Sequence, residues 1–327
     1  MPTPPLRWGL LSTAKINKAL LDPLRTSNRN RLLAVASRSQ DKADEFAHKN
    51  KVKRTYGSYA DMLADPDIDV IYNSLPNNLH AEWTIKAVQA GKHVLCEKPL
   101  ALSLAEVDAI TAAAEKYGQV VTEAFMYRTH PQTLNVHEIV VSGQLGKIKL
   151  VRGSFTYPGT DPDNYRWKPE MGGGSLWDVG CYPLSYTRSV LGAEPLEVFG
   201  WQVIGPTGVD ELFAAQLHFP EEIFAQFDCS FKIPNHAFME IVGDKATLII
   251  PNPFNPTTKE KLILKRGGKV EKIVVKGTGA YTGEVEDMAD AILLGKPPCV
   301  SLADSRVNIA AILALYESAK TGKPVIP

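Results

Sequence analysis

The sequence predicts an α/β chain in two parts. The first is a doubly wound parallel sheet, and the second is an α+β half around a large, mostly antiparallel, open sheet. Three observations carry this. Apolar strand-like runs alternate with helical patterns from residue 7 to 124, the order that builds βαβ units. After residue 147 strands dominate, and Glu222–Phe231 sets Ile223, Ala225, Phe227, Cys229 and Phe231 on one face. The 327 residues suit two domains, at a soft prior of about 150 residues each. The expected division is 1–125 and 126–327.

Composition narrows the function class. Hydrophobic residues make up 44% and charged residues 22%, an ordinary globular balance. Lys+Arg 36 equals Asp+Glu 36, so no bulk attraction to nucleic acid or an anionic membrane is expected. The opening Met1-Pro2-Thr3-Pro4-Pro5 has no apolar signal core, and no run approaches membrane-spanning length. Cys96, Cys181, Cys229 and Cys299 are dispersed, with no CxxC pair and no zinc-like Cys/His spacing. A cytoplasmic, metal-free, disulfide-free protein is the expectation.

In order, Arg7–Leu11 and Leu32–Ser37 read as strands around a helix at Ile16–Leu24. The turn between them, Gly9 to Asn17, puts Ser12, Ala14 and Asn17 where a dinucleotide fingerprint has glycines. Small residues there still let backbone approach a pyrophosphate, so Ser12, Thr13, Ala14, Lys15 and Ile16 are candidate contacts. The same residues suit a generic strand-to-helix turn. The second strand ends at Ser37-Arg38 with no acid at either position. Given a nucleotide site, Arg there favours a 2′-phosphate, hence NADP over NAD; a surface Arg beside the helix Asp41–Lys49 is the alternative.

Asp69–Ser74 is the next strand, followed by Leu75-Pro76-Asn77-Asn78-Leu79-His80 and a helix through Ala90. That polar loop at a strand's carboxyl end suits either a cofactor lining (Leu75, Pro76, Asn77, His80) or a plain turn. Gly91 ends the helix, Val94–Cys96 is a short buried strand, and Glu97-Lys98-Pro99 stands at its tip. Ligands bind at such carboxyl ends in open α/β sheets. Pro99 biases Lys98 towards extended geometry, which presents its ammonium off the tip. Ser103 to Glu106 is a capping box opening a helix that Gly118 stops, and Gln119–Ala124 is a further strand.

In the second half, Val136–Val141 continues a helix. Leu196–Ile204, Glu211–Phe219, Ala246–Ile250, Lys261–Leu264 and Val270–Val275 read as strands, and Glu284–Leu294 and Ala303–Lys320 as closing helices. The chemically suggestive stretch is Gly172-Gly173-Gly174 through Asp178 to Tyr182. Three glycines permit close backbone approach. Asp178 and Tyr182, four residues apart, share a helix face and suit proton transfer at a hydroxyl or carbonyl carbon. A capping Asp and a half-buried Tyr are the plainer reading.

Together these stretches resemble the family named for glucose–fructose oxidoreductase, inositol 2-dehydrogenase and a rhizopine catabolism protein. The match is collinear over essentially the whole chain and rests on Glu97-Lys98-Pro99 and on the glycines with Asp178 and Tyr182. Pro76 to His80 and Glu123-Ala124-Phe125-Met126-Tyr127-Arg128 support it. Many relatives carry His at the place of Tyr182; tyrosine is similar to the dihydrodiol and NADP-dependent D-xylose dehydrogenase branch. The Ser12/Ala14/Asn17 turn departs from the family's glycines.

The resemblance implies a Rossmann domain binding a nicotinamide nucleotide, NADP on the reading of Arg38, with Glu97 and Lys98 beside it, and a second domain for substrate and oligomerisation. It implies a homodimer or higher homo-oligomer through the open sheet. Lys98 would be the catalytic lysine, Tyr182 the acid/base and Asp178 the substrate-orienting acid. Arg166, Trp167 and Tyr281 would line the pocket of a sugar or polyol. The implied reaction is reversible hydride transfer at a carbinol carbon. The family also contains ligand-sensing regulators without turnover and glycosidases that oxidise transiently.

Overall fold

The computed structural model describes residues 4–327. The chain forms two compact units, one running to Met126 and taking back Tyr281–Arg306, the other holding Tyr127–Ala280 and Val307–Pro327. Tyr281–Arg306 returns to the first unit, and the cause is packing. Val285, Met288 and Ala289 of this segment lie fully buried with Leu20, Leu24, Trp8 and Tyr72 in the first unit's core. Burying three such side chains supplies several kcal/mol, at roughly 25 cal/mol per Å² of apolar surface. Arg29 adds ion pairs to Glu286 and Asp290, both at 2.5 Å.

The first unit holds six parallel strands in the order β3-β2-β1-β4-β5-β6. These are β1 Leu6–Leu11, β2 Asn30–Ala36, β3 Arg54–Tyr56, β4 Val70–Asn73, β5 His93–Glu97 and β6 Val121–Ala124. Helices α1 Asn17–Thr26, α2 Gln40–Asn50, α3 Tyr59–Ala64, α4 His80–Gln89 and α5 Leu104–Tyr117 make the crossovers. The strand order reverses between β1 and β4, the switch point where such sheets take ligands. Strands β4 and β6 are buried throughout, as sheets covered on both faces require. Ser39 and Ser103 cap α2 and α5 by accepting from Lys42 N and Glu106 N. Glu106 reaches back to Leu102 N, one residue before the cap. β3 and α3 were not expected: three residues, Arg54-Thr55-Tyr56, are too few to show alternation.

The second unit begins with α6 Pro131–Val141, β7 Ile148–Thr156 and α7 Cys181–Leu191. Strands β8 Glu197–Ile204, β9 Asp210–Phe219, β10 Ile223–Ser230, β11 His236–Gly243, β12 Thr247–Ile250, β13 Lys259–Arg266 and β14 Lys269–Lys276 follow. The eight strands run β14-β13-β12-β11-β7-β10-β9-β8, all antiparallel except the parallel pair β7 and β10. β11 escaped the sequence reading because outward Phe238 and Val242, as apolar as inward Met239 and Ile241, break the polar alternation of His236 and Glu240. One sheet face is covered by α7 and the end of α9 (Leu302–Thr321), whose Ser318 hydroxyl accepts from Gly200 N at 3.1 Å. On the opposite face Trp201 and Phe224 stand 54% and 52% exposed. α8, Thr282–Leu294, belongs to the first unit. No helix among the described residues is long and apolar enough to cross a membrane. The four cysteines form no disulfide.

Two inward histidines tie loops in their neutral form. His93 Nδ1 accepts from Val120 N at 2.9 Å, and His130 Nδ1 accepts from Gln132 N at 3.1 Å. A protonated ring would lose the lone pair each bond uses, and burial lowers both pKa values. Below the ordinary value of about 6.5 the unfolded chain therefore binds protons that the folded chain refuses, and stability falls with pH. The urea midpoint should be lower at about pH 5.5 than at about pH 7.5. A midpoint that holds or rises on acidification would show that these rings are not held neutral.

Candidate active site

The first unit offers a row of strand tips. At the β1 tip Ser12 adopts φ 121°, a region that favours glycine. Side chains hold it there. The Ser12 and Ser74 hydroxyls are 2.9 Å apart, Ser74 donates to Asn17 Oδ1 at 2.6 Å, and the Asn17 amide donates to Ser12 O at 2.7 Å. Ala14 N closes on Ser12 Oγ at 3.1 Å. Two of the positions that depart from the glycine fingerprint, Ser12 and Asn17, thus form a closed polar ring with Ser74. α1 follows with no side-chain cap and no acid in its first turn, so its positive end suits a pyrophosphate. Thr13, Ala14 and Ile16 are half-buried and Lys15 is exposed.

At the β2 tip Ser37 is buried, with its N–H on Tyr56 O, while Arg38 is exposed. Arg38 touches the hydroxyl of Tyr59, whose ring stands edge-on to Trp83 at 5.1 Å. After β4, Leu75 and Asn77 are buried and Pro76 half-buried. His80, expected among the cofactor contacts, has no exposed surface, and its ring nitrogens lie 2.7 Å from the carbonyls of Pro99 and Leu75. Its ring ties backbone.

At the β5 tip Glu97 and Lys98 are half-buried. Tyr72, fully buried, donates to Glu97 through a short hydrogen bond. Tyr281, at the head of α8, and Glu284 one turn on bring a second phenol and a second carboxyl to this tip. Burial first, then the neighbouring Glu97, push Glu284 well above the usual carboxylate range. Burial and Glu97 likewise raise Tyr281, against Lys98, which lowers it. Tyr72 and Glu284 were not foreseen, since nothing local marks a lone Tyr in a strand or a lone Glu in a helix.

In the second unit Leu176–Gly180 forms a π-helical turn that leads into α7, a distortion often found at functional sites. The glycines before it are required by space. A Cβ on Gly173 would stand 2.5 Å from Arg166 O, and one on Gly174, at φ 123°, would stand 2.1 Å from Asp210 Oδ1. Buried Asp210 anchors the turn, accepting from Ser175 Oγ at 2.7 Å, Leu176 N at 2.8 Å and Tyr316 OH at 2.7 Å. Asp178, inside the turn, is 5% exposed. Its Oδ2 accepts from Tyr157 OH at 2.7 Å and lies 2.7 Å from Arg166 Nε. Although burial opposes it, the Asp178 charge raises the Arg166 pKa.

Tyr182 is 6% exposed. Phe155, Phe254 and Tyr127 surround its ring at 5.3, 5.6 and 5.9 Å between centroids. Trp167 packs edge-on against Phe231 at 5.1 Å, with Lys232 Nζ 5.1 Å above its ring. The sequence reading thus finds Asp178, Arg166 and Tyr182 in this unit, and Lys98, Glu97 and Tyr281 in the other. It misses Tyr157, which no motif marks.

Residues 6–125 match the model of an oxidoreductase family with an NAD-binding Rossmann fold. Residues 133–249 match the GFO/IDH/MocA C-terminal domain. The chain belongs to the GFO/IDH/MocA oxidoreductase family. Among its relatives, D-xylose 1-dehydrogenase (NADP(+)) 2 of Haloferax volcanii is 35% identical over 98% of this chain and 99% of that one. Trans-1,2-dihydrobenzene-1,2-diol dehydrogenase of Xenopus laevis is 33% identical over 94% and 96%. Among solved structures of the family fold, the 3-ketoreductase KijD10 of Actinomadura kijaniata, in complex with NADP and TDP-benzene, superposes with a TM-score of 0.91. It is 28% identical over 96% of this chain and 98% of that chain. KijD10 has also been solved with a tyrosine changed to phenylalanine and with a lysine changed to alanine.

Proposed function

We propose that this GFO/IDH/MocA member is an NADP-dependent oxidoreductase. It moves hydride between nicotinamide and a carbinol or carbonyl carbon of a sugar or related polyol, as an aldose dehydrogenase or ketosugar reductase. One observation carries the reading. The lysine and tyrosine altered in the KijD10 variants are separated by the same stretch of chain as Lys98 and Tyr182. The name of the D-xylose relative specifies NADP(+), and the KijD10 complex holds NADP.

The residues present fit that cofactor. The uncapped head of α1 with the Ser12–Ile16 turn suits the pyrophosphate. Exposed Arg38, which pairs with no carboxylate among the described residues, suits a 2′-phosphate. Ser37, Leu75, Pro76, Asn77 and Glu97 complete the proposed lining.

When bound, the nicotinamide supplies the hydride chemistry. Tyr182 takes the substrate hydroxyl proton on oxidation and returns it on reduction. A free phenol has a pKa of about 10, so tyrosinate needs a positive neighbour. Lys98, as ammonium, supplies that charge and polarises the forming carbonyl. Asp178 orients the substrate hydroxyl, with Arg166 and Tyr157 fixing its carboxylate. Arg166, Trp167 and Tyr281 line the sugar pocket.

The uncovered face of the second sheet is the proposed homodimer surface. Phe199, Trp201, His218, Phe224 and Pro324 line a groove of about 400 Å³ there. An apolar patch of this kind suits an isologous contact with a second copy. Trp201→Glu should turn a sedimenting dimer into a monomer; a wild-type monomer at micromolar concentration would refute the surface.

Arg38→Ala should weaken NADP binding by roughly 10- to 100-fold, on the scale of about 1.5–3 kcal/mol for a charge-assisted bond, and leave NAD nearly unchanged. Equal losses, read by fluorescence titration, would make Arg38 structural.

Tyr182→Phe keeps the ring in its aromatic surroundings and removes the proton carrier. It should lower kcat by about 10²- to 10⁴-fold, with NADP affinity nearly unchanged. Turnover of D-xylose, ketosugars and trans-dihydrodiols with NADP, followed by absorbance, is the assay. A near-normal kcat would place the proton carrier elsewhere.

A further inference from the structure

A neutral imidazole carries one N–H and one lone pair, so it serves one acceptor and one donor. His130 obeys this: Nδ1 accepts from Gln132 N, and Nε2 faces the Thr278 carbonyl at 3.2 Å. His80 does not. Its Nδ1 lies 2.7 Å from Pro99 O and its Nε2 lies 2.7 Å from Leu75 O, with no exposed surface on the residue. Both partners are carbonyls, which only accept. A neutral ring satisfies one of them and turns a lone pair on the other. The imidazolium satisfies both, through two charge-assisted bonds.

We propose that His80 is a positioning residue that, by taking a second ring proton, clamps the loop after β4 to the segment that presents Lys98. The inference rests on the reading of Lys98 as the catalytic lysine. Pro99 is the next residue along from Lys98, so holding the Pro99 carbonyl steadies the residue bonded to the one that carries the ammonium. Leu75 follows Ser74, which belongs to the polar ring with Ser12 and Asn17. The ring of His80 therefore joins the cofactor turn at β1 and β4 to the chemistry at β5. Its own carbonyl is held by Asn73 Nδ2 at 3.1 Å, so the residue is fixed at both ends.

The proton comes from solvent, and one N–H bond is all that forms. Lys98, from the β5 tip, opposes the proton; Glu106, from α5, favours it, as do the two carbonyls. Burial is the largest influence and places the titration below the ordinary histidine value. The clamp therefore closes only as pH falls below that value, and one of its two bonds opens as pH rises.

The test has two arms. The first is ¹⁵N NMR of the full-length apo protein labelled at histidine, with the His80 signals identified by their loss in His80→Gln. Both ring nitrogens should be protonated at about pH 5 and only one at about pH 8. A ring that stays singly protonated down to about pH 5 overturns the clamp. The second arm is kcat. His80→Gln places its donors on a single nitrogen and should lower kcat about 10-fold at about pH 5.5, with a smaller loss at about pH 8, where the wild-type ring also keeps one bond. A loss of the same size at both pH values would make His80 merely structural and overturn the inference. If the wild type turns over no sugar or diol with NADP, the catalytic reading of Lys98 falls, while the NMR arm still decides whether the ring takes its second proton.

Discussion

The hydrogen-bonded ring of Ser12, Ser74 and Asn17 is the constraint on which the first unit's site depends. Parallel strands end side by side in a dry interior, and every polar group at their tips needs a partner there. Glycine-rich turns solve the problem with bare backbone that comes close to the ligand and to the helix. This chain solves it with three short polar side chains. The solution has a conformational cost, because Ser12 sits at φ 121°, a region worth about 1–3 kcal/mol of strain for a residue with a Cβ. The ring holds the residue in place. It also makes the β1 turn and the β4 loop one rigid piece, so the two proposed cofactor contacts cannot drift apart independently.

The second unit depends on charge. Asp178 is almost wholly buried, and a carboxylate in such a place ionises only if partners come with it. Arg166 brings the charge and Tyr157 a neutral donor, both onto the same oxygen. The glycines that precede the π-helical turn let Arg166 come so close: any side chain on Gly173 would collide with the Arg166 carbonyl. Asp210 fixes the turn from behind through Ser175, Leu176 N and Tyr316. The triple glycine, read in sequence as permitting close backbone approach, is a packing requirement of an ion pair.

What was legible in the sequence was what repeats or has local chemistry. The alternation of strand and helix up to residue 124 and the one-faced pattern of β10 lead directly to two different sheets. The three-residue strand Arg54–Tyr56 was too short to register, and the outward face of β11 mixes polar His236 and Glu240 with apolar Phe238 and Val242. The stripe Val285, Met288, Ala289 shows that α8 is covered, yet periodicity cannot say by which unit; that is decided by contacts far away in the chain. The site divides the same way. Lys98, Asp178 and Tyr182 stand in dense local motifs and were read from them. His80 was read as polar in a polar loop, but whether a ring turns outward or inward is set by carbonyls at Leu75 and Pro99 that sequence spacing does not locate. Tyr157, Tyr72 and Glu284 carry no local mark at all.

The β5 tip shows how these parts constrain one another. Glu97 and Glu284 bring two carboxyls to one buried place, and two adjacent charges there would each raise the cost of the other. The structure resolves the conflict asymmetrically. Glu97 receives the Tyr72 hydroxyl, a donor that favours the ionised form. Neither oxygen of Glu284 has a hydrogen-bond partner, and burial with the nearby Glu97 pushes its pKa well above the usual carboxylate range. Glu284 is therefore the member held neutral. The β5 tip thus depends on a carboxyl brought by α8, a helix that reaches the first unit only after the chain has built the whole of the second sheet.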